Sequence, residues 1–156
     1  MADTETPTAT WGDLVRAEPD LASFGRTCLE ARPSYLATLR ADGTPRVHPV
    51  TPIVTDDGLF VFSEPASPKV RDLRERGSFA LHNGVPDNDG TGGEFLVSGR
   101  AVEVINDPAA RARVVAAARY EPEDRYLLFE LRPTAARCNG YGDVVLPSVT
   151  RWSVGT

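Results

Sequence analysis

Two Asp-Gly pairs, Asp42-Gly43 and Asp57-Gly58, separate three short extended runs, Ser34–Arg40, Pro45–Val54 and Leu59–Ser63. An Asp-Gly pair supplies the positive φ angles that a tight hairpin demands. The three runs are therefore expected to pair as an antiparallel meander. Pro45, Pro49 and Pro52 remove backbone donors from the middle run. That run is expected at an edge, bulged or partly unpaired.

Four more extended runs follow: Ser78–Asn83, Glu94–Ile105, Arg125–Asn139 and Val144–Val154, with Gly99 marking a bulge. Between them lie helix signals. Thr10 and Asp13 form a capping box ahead of Leu14 and Val15, and Pro19 interrupts that helix. Leu21, Phe24, Cys28 and Leu29 recur at helical spacing up to Pro33. Ser67-Pro68 opens a helix that Gly77 ends, and Asp107-Pro108 opens another through the alanine-rich 109–119. Six or seven antiparallel strands with a few flanking helices imply a mainly β fold, a closed or nearly closed barrel. Residues 1–10 read as a flexible tail and 11–156 as one domain.

Composition excludes several classes. The net charge is −5, so no basic field draws nucleic acid. No apolar run is long enough to span a bilayer, and the polar, acidic start is unlike a signal peptide. Cys28 and Cys138 lie far apart with no metal spacing, which points to two free thiols and a reducing cytoplasm. Asp87, Asn88 and Asp89 lack the spacing and closing glutamate of a calcium loop. With two histidines, His48 and His82, no metal set is expected. His82 reads as structural, and Tyr141 and Trp152 as core or interface aromatics.

Two neighbouring segments carry the chemistry. In Arg46-Val47-His48-Pro49-Val50, strand alternation puts Arg46, His48 and Val50 on one face. In Ser63 to Lys69, the helix opening at Ser67 offers free backbone N–H groups and its positive dipole end. Ser67 adds a hydroxyl and Lys69 a charge. Lys69 is the single lysine among 17 basic residues. These are the parts of a phosphate site. They are also the parts of an ordinary Ser-Pro helix start with an exposed lysine. No residue stands out as a general acid or base.

The order of elements over roughly 34–105 decides between them: strand, Asp-Gly turn, Pro-Arg-x-x-Pro strand, Asp-Gly turn, Leu-x-Val-Phe strand, then Ser-x-Lys and a helix. This stretch resembles the pyridoxamine 5'-phosphate oxidase-like, FMN-binding split β-barrel superfamily. The resemblance implies that Arg46, Val47, His48, Pro49 and Val50 lie along the flavin ring and ribityl chain. It implies that Ser63, Ser67 and Lys69 meet the phosphate. It implies a homodimer acting on a small molecule, with C-terminal residues of the partner such as Trp152 completing the site. Pro68 stands where the vitamin B6 oxidases carry arginine, and the chain ends soon after Arg151–Val154. The resemblance therefore reaches an FMN oxidoreductase but not vitamin B6 oxidation. A deazaflavin (F-420) reductase is the first alternative, and a non-enzymatic flavin or haem carrier the second.

Overall fold

The computed structural model describes residues 7–155. Residues 1–6 of the expected tail lie outside them. Ala9 donates to the Pro133 carbonyl oxygen at 3.0 Å, tying the chain to the barrel before the first helix starts. That helix, α1 (Trp11–Ala17), opens with the expected capping box, in which Thr10 and Asp13 exchange side-chain-to-backbone bonds. Helix α2 (Pro19–Ala31) buries Leu21, Ala22, Gly25, Cys28 and Leu29 along one stripe. A Cβ on Gly25 would sit 2.5 Å from the Phe95 ring, so glycine is what lets this helix approach the sheet. Trp11 closes on the same ring edge-on, with centroids 6.0 Å apart.

The strands are β1 (Ser34–Leu39), β2 (Pro45–Val50), β3 (Ile53–Val54), β4 (Leu59–Ser63), β5 (Ser78–Asn83), β6 (Glu94–Glu103), β7 (Leu127–Asn139) and β8 (Arg151–Ser153). Their order is β2-β1-β5-β6-β7-β4-β3, with β8 beside β7, and every pairing is antiparallel. The expected three-stranded meander does not form. Both Asp-Gly hairpins form, but the middle run breaks at Thr51-Pro52 into two strands at opposite ends of the sheet. Three Cα steps, about 11 Å at most, join Val50 to Ile53. The two outer strands must therefore meet, and the sheet curls into a nearly closed split barrel. Pro52, with no N–H to donate, sits at the seam.

A second correction concerns the chain end. Of the expected strand Val144–Val154, only Arg151–Ser153 pairs, and residues 144–150 are irregular around Pro147. The bulge expected at Gly99 is present, with the extra residue on the facing strand. Ser98 pairs with Ala135 and Gly99 with Pro133, leaving Thr134 over. A Cβ at Gly99 would come within 2.0 Å of the Arg132 carbonyl oxygen.

Two helices close the barrel ends, α3 (Pro68–Glu75) and α4 (Pro108–Ala117). The main core fills the barrel and reaches under α1, α2 and α3. A smaller one, Ile53, Phe60, Phe62, Val114 and Leu128, lies under α4. Cys28 and Cys138 are both buried and free, and burial pushes the Cys28 thiol up to about 11. No described helix is long and apolar enough to cross a membrane.

Candidate cofactor-binding site

Strand β2 alternates as expected. Pro45, Val47 and Pro49 are exposed, whereas Arg46 and His48 are half-buried and Val50 is buried. Arg46 and His48 therefore share the inward face, opposite Thr38 and Leu36 of β1. Ser63 ends β4 and is buried. Five residues on, α3 begins with extended Ser67 at its N-cap and Pro68 in its first turn. The Ser67 hydroxyl does not cap the helix. It accepts a bond from Lys69 Nζ at 3.1 Å. The Val70 amide turns back onto the Ser67 carbonyl, and the Lys69 amide, in the first turn, has no partner among the described residues.

The electrostatics are uneven. Arg46 donates through Nε to Asp72 Oδ2 at 2.8 Å, so much of its charge is offset. Lys69 is half-buried and forms no ion pair among the described residues, and burial lowers its pKa. His48 is held below its ordinary range by burial first, then by the nearby charges of Lys69 and Arg46, against the opposing pull of Asp72. Its Nε2 is buried without a partner among the described residues. Three buried side-chain atoms among the described residues lack a partner: Nε2 of His48, Oγ of Ser63 and Oγ of Ser34. Two of these belong to the expected site, and Ser34 lies opposite Val50 on the adjoining strand. Buried polar groups are nearly always hydrogen-bonded, so such orphans beside an uncompensated cation fit a polar, anionic group that satisfies them.

Trp152 lies apart from this set within one chain. It packs on the edge of the main core and lines a cavity of about 460 Å³ with Leu96, Ser98, Arg137 and Arg151. A groove of about 1080 Å³ runs between the β3–β4 turn and α4 and is lined by none of the expected site residues. Its walls mix acids and arginines, and none of the orphaned buried polar atoms found among the described residues belongs to its lining.

Sequence reasoning missed Asp72. Its side chain is buried, with Thr38 Oγ1 donating to Oδ2 at 2.7 Å and Arg76 Nη2 to Oδ1 at 3.3 Å. The available signal was an acid set between Val70 and Leu73 on the apolar stripe of a short helix. Burial alone would raise this carboxyl, but the bonds from Thr38 and Arg46 and the adjoining charge of Arg46 hold it below the usual carboxylate range.

The family model for pyridoxamine 5'-phosphate oxidase matches residues 25–138, about three quarters of the chain. The chain belongs to this family. The split barrel of the pyridoxamine 5'-phosphate oxidase-like proteins also appears among solved structures. A haem-binding protein from Mycobacterium smegmatis is 22% identical with a TM-score of 0.65, covering 85% of this chain and 59% of its own. This chain thus spans about three fifths of that protein's length. The haem storage protein HutZ from Vibrio cholerae is 21% identical with a TM-score of 0.64, covering 80% and 96%. PhzG from Burkholderia lata, solved with tetrahydrophenazine-1-carboxylic acid, is 17% identical with a TM-score of 0.55, covering 92% and 86%. At these identities the likeness establishes the fold. No curated protein matches the sequence.

Proposed function

We propose that this pyridoxamine 5'-phosphate oxidase-like protein binds flavin mononucleotide and works as a flavin-dependent oxidoreductase on a small molecule. The observation that carries the reading is Lys69, a half-buried ammonium with no counter-ion, at a helix start beside a buried, partnerless imidazole nitrogen. Lys69, the Ser67 hydroxyl and the first-turn amide hold the phosphate. Arg46 adds its unpaired Nη groups. The inward face of β2, His48 and Val50, lies along the ring and ribityl chain, where His48 Nε2 and Ser63 Oγ meet their missing partners. Bound there, the flavin supplies the electron-transfer chemistry, and the chain binds, orients and shields it. In a homodimer, Trp152 comes from the partner. A deazaflavin coenzyme, which also carries phosphate, would use the same cations and is separated from FMN only by direct comparison.

One observation favours a second reading, haem. His82 is half-exposed, and its Nδ1–H donates to the Asn83 carbonyl oxygen at 2.6 Å, which leaves Nε2, 3.9 Å from Glu94 Oε1, as the nitrogen that could face a metal. Two of the solved neighbours are haem proteins. A Soret band that disappears in His82→Ala would establish haem instead.

The test of the primary reading is a titration of wild type and Lys69→Ala with FMN and with riboflavin. Losing a charged hydrogen bond costs about 1.5–3 kcal/mol, or roughly ten- to a hundredfold in affinity. FMN should weaken by that factor and riboflavin, which lacks the phosphate, should hardly change. Equal losses for both ligands would remove Lys69 from phosphate recognition, and no loss for either would make it an ordinary surface lysine.

A further inference from the structure

Thr38 and Arg46 stand directly opposite each other on β1 and β2 and face inward. Both reach the same oxygen of Asp72, Thr38 at 2.7 Å and Arg46 at 2.8 Å. The other oxygen takes Arg76, one turn further along α3. One buried carboxylate thus clamps two strands and a helix. Its contact to Arg46 is made through Nε, and neither Nη group of that guanidinium has a partner among the described residues.

Lys69 lies three residues before Asp72, a spacing at which an ion pair commonly forms on a helix. None forms, because both Asp72 oxygens are taken by groups from the sheet and the helix end. Arg46 and Arg76 hold the one acid, Arg76 also pairing with Glu75, and Lys69 forms no ion pair among the described residues. A phosphomonoester carries about −1.5 to −2 near neutral pH. Lys69 and the free side of the Arg46 guanidinium give such a group cationic donors.

We propose that Asp72 is the positioning residue of the phosphate site: it holds Arg46 by Nε so that its Nη groups remain for the anion, and it leaves Lys69 unpaired. This rests on the phosphate reading above and adds a carboxylate that never touches the ligand. A carboxylate near a phosphate subtracts from its attraction, so its gain must come through geometry. Geometry and charge separate in two variants. Asp72→Asn keeps an oxygen for Thr38 and Arg46 and removes the charge. Asp72→Ala removes both.

The experiment measures dissociation constants for FMN and riboflavin on the full chain, for wild type, Asp72→Asn, Asp72→Ala, Arg46→Ala and the Arg46→Ala/Asp72→Ala double variant, with circular dichroism to check folding. Asp72→Ala should weaken FMN by about tenfold or more, in the range of a lost charged hydrogen bond, and change riboflavin little. The double variant should be no worse than Arg46→Ala alone, since Asp72 acts through Arg46. Asp72→Asn should bind FMN at least as well as wild type. Equal losses for FMN and riboflavin in Asp72→Ala, or additive losses in the double variant, would overturn the proposal. If Asp72→Ala does not fold, Asp72→Asn decides: a folded variant that loses FMN tenfold contradicts it. Wild type that binds FMN no better than riboflavin would instead refute the phosphate reading itself.

Discussion

Arg46 and Lys69 flank one imidazole and yet stand in different electrostatic states. Arg46 is tethered to a buried carboxylate, and Lys69 is not. Burial and both cations hold the His48 imidazole between them below its ordinary range. We predict that its imidazole titrates below about 6.5 and shifts upward when FMN adds a dianion, which nuclear magnetic resonance of the ring protons can follow. Because its folded pKa is depressed, the unfolded chain takes up the proton first. Stability is therefore lost as pH falls from about 6.5 toward the folded value, and His48→Gln should flatten that part of the profile. An unchanged profile would place the imidazole in open solvent. Asp72 is a depressed carboxylate, so its contribution is complete above the ordinary carboxylate range and fades as pH falls through its lowered value. Asp72→Asn should lose less of its melting temperature than wild type between about pH 5 and pH 3. Alternation alone made Arg46 and His48 legible as one face, and Ser67-Pro68 was legible as a helix start. Asp72 was not, because an acid in a charged octapeptide helix reads as solvated. Only the approach of Thr38 and Arg46 from distant chain positions buries it.

Between elements, local signals held and pairing partners did not. Each Asp-Gly turn built its hairpin, and each Pro-containing N-terminus built its helix. The break at Pro52 was foreshadowed by its missing donor. That the two halves of the run lie at opposite ends of the sheet depends on β5, β6 and β7 inserting between β1 and β4, which no local pattern encodes. The irregular 144–150 segment shows the same limit in reverse: its strand-like residues form no ladder, and the bonding to β7 begins at the Thr150 carbonyl, which accepts from the Cys138 amide, just ahead of β8. Gly99 is a sharper case, because its role follows from contact. Gly99→Ala drives a methyl group into the Arg132 carbonyl at the bulge, and overpacking of this kind costs about 1–3 kcal/mol. At roughly 2–4 °C per kcal/mol for a chain of this size, calorimetry should find the melting temperature several degrees lower. A variant as stable as wild type would mean that the bulge relaxes without strain.

For the whole molecule, the outer face of β1 and β2 presents Tyr35 at 53% exposure and Val47 at 60%, with Leu39 and Pro49 beside them. An apolar strip on the back of the proposed cofactor strand suits a second copy of the chain. We predict two chains per particle by light scattering at micromolar concentration, and a shift toward one chain in Val47→Glu. A wild-type monomer that holds its cofactor would remove Trp152 of a partner from the site. All of this depends on what the barrel carries. The absorption spectrum of freshly purified protein, followed by mass identification of whatever heat releases, tests that most directly. The account predicts a yellow protein that releases one FMN per chain. A Soret band, or a colourless protein that takes up deazaflavin but not FMN, would contradict it.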